Sequence, residues 1–180
     1  MRVQRLNIEQ ALTLIRTIPD YPKPGILFQD ITPVLSNPEA FNVVVRALAE
    51  VDPESSVVAG IDARGFIFAS AIAVAKGCGF VPIRKKGKLP FSTYSKQYGL
   101  EYGVDEIEIH TDAFEPGSKV LLVDDVLATG GTLVAAIELV KQAGGIVTDI
   151  AVLSEITLLG GRARIAEHSP DVSIHALISG

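Results

Sequence analysis

Two adjacent acids and a turn of small residues share one stretch, VLLVDDVLATGGT, running from Val120 to Thr132. Four apolar residues, Val120 to Val123, read as a buried strand that ends in Asp124 and Asp125. The chain then turns through Ala128, Thr129, Gly130 and Gly131, and Thr132 begins a helix. In open α/β sheets, ligands bind beyond the carboxyl ends of the strands, where this loop stands. Its two halves suit different groups. Residues ahead of a helix N-terminus offer unpaired N–H groups and the positive end of a dipole, which favour an anion. Glycines let backbone approach closely and two threonine hydroxyls add donors, so the turn suits a phosphate monoester. Asp124 and Asp125 are wrong for phosphate but right for accepting hydrogen bonds from vicinal hydroxyls. Phosphate and diol together describe a ribose 5-phosphate. Competing nucleotide signatures are absent: Gly60 and Gly65 are followed by Phe66 rather than Gly-Lys-Ser/Thr, and no GxGxxG follows a strand.

The elements that position this loop are legible from apolar periodicity. Ile8, Leu12, Ile15 and Ile18 fall at helical spacing and predict an amphipathic helix ending at Pro19. DYPKPGILFQDITPVLSNP, with its prolines, predicts an irregular surface segment. A second helix follows, with Asn37 as N-cap, Pro38 at the first helical position and Phe41, Val44, Val45 and Leu48 on one face. SVVAGI, GFIFASAIAVAK and FVPI then read as strand, helix and strand, with Gly77 closing the helix. KVLLVDD, GTLVAAIELVKQAG and IVTDIAVLSEI repeat that βαβ order, with Gly144 where the helical pattern stops. Between the two units, RKKGKLPFSTYSKQYGLEYGVDEIEIH is polar, aromatic and glycine-punctuated, as a functional lid would be. The expectation is one α/β domain spanning residues 1–180 around a central parallel sheet.

Composition excludes several function classes. With 180 residues, 48% apolar and 21% charged, the chain is long and apolar enough for a real core. A formal charge of −5 argues against general attraction to nucleic acid or to an anionic membrane. The single cysteine, Cys78, cannot form an internal disulfide. The N-terminal segment reads as neither signal peptide nor membrane span, and no later run reaches about 18 apolar residues. The expected location is the cytoplasm. His110, His168 and His175 show no metal-ligand spacing and read as structural or solvated.

The DD–ATGGT string resembles the phosphoribosyl pyrophosphate motif of the type I phosphoribosyltransferases, and further segments resemble that family's adenine branch in the same order along the chain. The resemblance implies a three-layer fold: a mainly parallel sheet flanked by helices, a small N-terminal hood at about 18–37, and a flexible lid at about 84–110. It implies purine salvage, with adenine and 5-phosphoribosyl 1-pyrophosphate going to AMP and pyrophosphate. Carried over by motif, Asp124 and Asp125 bind the ribose hydroxyls, while Ala128, Thr129, Gly130, Gly131 and Thr132 hold the 5′-phosphate. AGIDARGFIFA resembles the family's pyrophosphate loop, giving Asp62, Ala63 and Arg64 to that group, with a non-proline cis peptide at Asp62–Ala63. IRKKGKLP resembles the family's second pyrophosphate segment, where Lys88 contacts the leaving group and Arg84 reaches into the partner subunit's site. YGLEYG resembles the tip of the lid, with Glu101 the acid or base candidate for purine N7 and Tyr102 helping to close the site. YPKPGILFQDITPVL resembles the adenine hood: Phe28 stacks on the base, and backbone groups of Leu27 and Gln29 read its edge. Some members carry arginine where this chain has Gln29. The resemblance further implies a homodimer and Mg²⁺ carried on substrate oxygens, with no direct protein metal site.

Overall fold

The structure is a computed structural model that describes residues 6–99 and 104–180. The chain divides into two compact units, residues 1–47 and 48–180.

In the N-terminal unit, α1 (Ile8–Leu12) opens with a reciprocal capping box between Asn7 and Gln10. The helix is shorter than its periodicity predicts. It stops at Thr13, and Arg16–Pro19 becomes strand β1, paired antiparallel with β2 (Leu27–Asp30) in a two-stranded sheet. β-branched Ile15, Thr17 and Ile18 fit an extended chain better than a helix. The segment expected to be irregular thus contains β2, and it also contains the short helix α2 (Thr32–Ser36). Asp30 fixes the junction: its carboxylate accepts from Arg16 at 2.5 and 3.0 Å and from the Thr32 N–H at 2.9 Å. Helix α3 (Pro38–Ala49) begins as predicted, with Asn37 Oδ1 accepting from the N–H groups of Glu39 and Ala40. Val44, Val45 and Leu48 are buried.

The second unit is built on a seven-stranded sheet. Its strands are β3 (Val57–Ile61), β4 (Gly79–Lys85), β5 (Thr93–Gly99), β6 (Val104–His110), β7 (Lys119–Leu127), β8 (Ile146–Glu155) and β9 (Ser173–Ser179). Their spatial order is β5-β6-β4-β3-β7-β8-β9. β4, β3, β7, β8 and β9 are parallel; β5 and β6 form an antiparallel hairpin added to the β4 edge. Helix α4 (Arg64–Lys76) connects β3 to β4 and ends at Gly77, which has the left-handed φ of 69° that its role as cap requires. Helix α5 (Gly131–Gln142) connects β7 to β8, and α6 (Gly161–His168) precedes β9.

This order fixes where a ligand can bind. From β3 the chain crosses to β4 on one side, and from β7 it crosses to β8 on the other. With right-handed crossovers the two helices cover opposite faces, and the crevice opens between the carboxyl ends of β3 and β7. The central strand β7 is fully buried from Val120 to Val123. Its core partners include Ala59, Ile83, Ile107, Leu133, Leu139 and Ile150.

Candidate functional site

Strand β7 runs past the point where the sequence predicts its end. Pairing with β3 stops at Gly60↔Val123, whereas pairing with β8 continues to Leu127↔Glu155. Asp124 and Asp125 therefore stand on a strand that has lost its β3 neighbour, at the switch point itself. Into that gap comes the N-terminus of α4. A Cβ on Gly65 would lie 2.9 Å from Asp124 Oδ1 and 3.0 Å from the Val123 carbonyl oxygen, so only glycine permits this approach. Asp124 Oδ1 accepts the Asp125 N–H at 2.9 Å, and the Asp125 carboxylate is ion-paired with the Arg64 guanidinium. Burial and the neighbouring Asp125 carboxylate push the Asp124 carboxyl well above its ordinary range. Burial raises Asp125 as well, opposed by the Arg64 charge.

The loop that follows is held from the far side. Gly130 has φ of 76°, and α5 starts at Gly131 with no side chain among the described residues capping it, the kind of helix start whose first N–H groups fall outside its own hydrogen-bond ladder. A Cβ on Gly130 would lie 2.7 Å from the Gly161 carbonyl oxygen, and a Cβ on Gly161 would overlap the Ala128 carbonyl oxygen. The start of α6 thus presses directly on the small-residue turn. Thr129 is exposed there, and Thr132 is half-buried.

On the β3 side, the chain leaves the sheet through a cis peptide at Asp62–Ala63, at the position the resemblance implies. Asp62 gathers the cations from the next strand. Its Oδ2 lies 3.2 Å from Arg84 Nε and 3.6 Å from Lys88 Nζ. Arg84 also donates to the Lys88 carbonyl at 3.2 Å and lies over the Phe66 ring at 5.9 Å. Buried Glu108 shapes the turn between them, accepting the Lys88 and Leu89 N–H groups at 2.9 Å each. Burial opposes ionisation of Glu108, but backbone donors from Gly87, Lys88 and Leu89 win and hold its carboxyl below the ordinary range.

Asp62, Ala63, Arg64, Arg84, Lys88 and the Asp124–Thr132 run all lie in the second unit. Leu27, Phe28 and Gln29 lie on β2 of the first. Phe28 packs edge-on against Tyr21 at 5.1 Å, Leu27 is 64% exposed, and the Gln29 side chain accepts from Thr17 at 3.4 Å. Among the described residues, β2 has β1 alone as a strand neighbour. Glu101 and Tyr102 lie outside the described residues. Sequence reading missed Glu108, Gly161 and the exposed apolar side chains Ile156, Leu158 and Leu159 beyond β8. A signal for Glu108 existed: in VDEIEIH it alternates with isoleucines on a strand beside a cationic turn.

Comparison with known proteins agrees with this geometry. The phosphoribosyl transferase domain family matches residues 31–171. An adenine phosphoribosyltransferase from Parvibaculum lavamentivorans is 54% identical over 167 residues, covering 92% of this chain and 94% of that protein. The crystal structure of adenine phosphoribosyltransferase from Thermoanaerobacter pseudethanolicus superposes with a TM-score of 0.90 at 46% identity, covering 97% of this chain and all of that one. The Giardia lamblia enzyme complexed with 9-deazaadenine gives 0.88 at 39% identity, covering 97% and 98% of the two chains. With the adjacent acids, the small-residue turn and the paired cations meeting at one switch point, the chain belongs to the phosphoribosyltransferase family, in its adenine phosphoribosyltransferase branch.

Proposed function

We propose a division of labour for the reaction this enzyme catalyses in purine salvage, adenine and 5-phosphoribosyl 1-pyrophosphate going to AMP and pyrophosphate. Asp124 and Asp125 accept hydrogen bonds from the ribose 2′ and 3′ hydroxyls. Ala128, Thr129, Gly130, Gly131 and Thr132 hold the 5′-phosphate through backbone N–H groups and two hydroxyls. Arg64, Lys88, Arg84 and the backbone at Asp62–Ala63 face the pyrophosphate, where negative charge grows as the glycosidic bond breaks. Fixed cations there stabilise the transition state more than the ground state. Transfer at C1 then proceeds with inversion through a state of oxocarbenium character, and the protein contributes mainly position and electrostatics.

The observation that carries this reading is the Asp125–Arg64 pair at the mouth of the β3–β7 crevice. It supports a diol acceptor and a leaving-group cation working side by side, with binding exchanging their mutual contact for substrate contacts.

For the base, Phe28 stacks on adenine while main-chain groups of Leu27 and Gln29 read its edge. The exposure of Leu27, at 64%, supports this, because its main chain on β2 stands near the surface. A carbonyl there accepts adenine's amino group and leaves an oxo-purine with an unpaired acceptor. Glu101 serves as acid or base at N7, and Tyr102 completes the lid over residues 84–110.

Mg²⁺ neutralises the pyrophosphate when bound. Among the described residues no three His, Cys, Asp or Glu side chains converge as a metal cage. Asp124 and Asp125, engaged by a backbone N–H and by Arg64, suit an ion that arrives on substrate oxygens beside them. No helix among the described residues is long and apolar enough to cross a membrane. The reading places the enzyme in the cytoplasm as a homodimer, for which the exposed Ile67 and Val74 on α4 offer apolar surface.

AMP formation from adenine, Mg²⁺ and the phosphoribosyl donor tests the scheme, with chelator and with hypoxanthine, guanine and xanthine as parallel arms. Turnover that survives chelation, or equal use of an oxo-purine, contradicts the metal or the base assignment respectively.

A further inference from the structure

We propose that Arg164, on α6, is a binding residue for the 5′-phosphate, its guanidinium adding a cation to the small-residue turn. The inference rests on the reading of Ala128–Thr132 as the phosphate cradle.

Helix α6 touches that turn directly. A Cβ on Gly161 would overlap the Ala128 carbonyl oxygen and lie 2.9 Å from the Gly130 nitrogen, so the helix starts against the cradle backbone itself. Arg164 follows within the first turn of the same helix. Its Nη1 stands 3.1 Å from where a Cβ on Gly131 would be, and its Cζ 3.6 Å from that point. The Gly99 carbonyl oxygen, at the end of β5, lies 3.2 Å from the same point. The guanidinium is thus set over the first residue of α5, on the side that faces β5.

A helix N-terminus favours an anion and opposes a cation. Arg164 meets two such ends, lying in the first turn of α6 and beside the start of α5. Neither helix has an acid in its first turn, and among the described residues neither has a side-chain cap. Arg162 shares the start of α6 but is neutralised by buried Glu155, to which it donates at 2.5, 3.0 and 3.1 Å. Arg164 is turned instead toward the cradle. A cation held where two helix dipoles oppose it breaks a local rule, and such breaks belong to binding sites. A phosphate monoester, with about two negative charges at neutral pH, restores the balance. The turn and the forked guanidinium supply donors, and the phosphate oxygens accept from both. Arg164 therefore serves the end of the phosphoribosyl donor opposite the leaving group, which separates its role from those of Arg64 and Lys88.

Calorimetric titration with ribose 5-phosphate and, separately, with pyrophosphate and Mg²⁺ tests this in R164Q, R164K, R164E and T132V. R164Q should weaken ribose 5-phosphate binding roughly two- to five-fold, the worth of a charge contact at an exposed side chain. Pyrophosphate binding and the melting temperature should stay where they are. R164K should recover much of the loss, R164E should deepen it, and added salt should narrow the gap between R164Q and the parent. Unchanged ribose 5-phosphate binding in R164Q, an equal loss for both ligands, or R164E no weaker than R164Q would each overturn the assignment. If T132V weakens ribose 5-phosphate binding and R164Q does not, the cradle stands without Arg164. If neither variant moves it, the cradle reading fails and the role of Arg164 fails with it.

Discussion

At the scale of single residues, the site concentrates charge that the folded chain holds at a cost. Asp124 is raised by burial and by the carboxylate beside it, so the fold prefers its protonated form. A group raised on folding contributes stability that is complete below its unfolded pKa and is lost as pH rises through the folded value. Above the ordinary carboxylate range Asp124 therefore weakens the fold. D124N should melt at a higher temperature than the parent at neutral pH, with the gap closing toward the ordinary carboxylate range, while donor affinity falls. Thermal scans across pH check this, and a lower neutral melting temperature contradicts it. Hydroxyls donating to the pair favour ionisation, so donor binding should also release protons. Titration calorimetry in buffers of different ionisation enthalpy measures that release. Asp125, the proposed diol acceptor, carries the link to Arg64. D125A should lower kcat/KM for the donor by about 100-fold or more with the fold intact, and near-normal turnover would remove the assigned role.

At the scale of elements, loops are positioned by groups distant in sequence, and this decides what could be read in advance. The strand–loop–helix around Asp124 was legible because an apolar run, two acids and a glycine turn are contiguous, and each imposes a local constraint. The βαβ order was legible for the same reason. Three features were not. Strand β1 was hidden because Ile15 and Ile18 fit helical spacing, and only pairing with β2 decides for a strand. The extension of β7 to Leu127 depends on β8, a partner some 30 residues on. Gly161 matters only because α6 lands on the Ala128–Gly130 turn. Glu108 had a partial signal, but its partner is likewise remote: it is 4% exposed and reaches back 20 residues to the Lys88 N–H. Its carboxyl is depressed on folding, so its stabilisation is present above the unfolded pKa and lost as pH falls through the folded one. E108Q exchanges charge-assisted bonds for neutral ones and should cost about 1–2 kcal/mol at neutral pH. The deficit should vanish in acid, the opposite trend to D124N. Since Glu108 shapes the turn carrying Lys88, the KM for pyrophosphate in the reverse reaction should rise; urea unfolding and reverse kinetics on one preparation read both effects.

At the scale of the whole molecule, the open question is which site Arg84 serves. Within one chain it pairs with Asp62 and lies over Phe66, which suffices to organise the cationic turn of that chain. The family resemblance instead sends it to a partner's site. Exposed Val74, at 82%, and Ile67 lie seven residues apart on α4, the helix that Arg64 opens. A second copy covering that face would thus sit against the helix bearing this cation. The two possibilities separate by mixing variants. R84A keeps Asp125, and D125A keeps Arg84. If Arg84 acts across the interface, a mixed dimer contains one complete site: Asp125 from the first subunit and Arg84 from the second. Random reassociation of equal amounts makes half the dimers mixed, each with one working site in two, so activity should recover to about a quarter of the parent level. If Arg84 acts only through Asp62 of its own chain, every site in the mixture lacks one group, and activity stays at the mean of the two variants. I67E/V74E supplies the control: by charging the shared face it should yield monomers in sedimentation velocity and abolish any recovery when both changes are placed in the mixed pair.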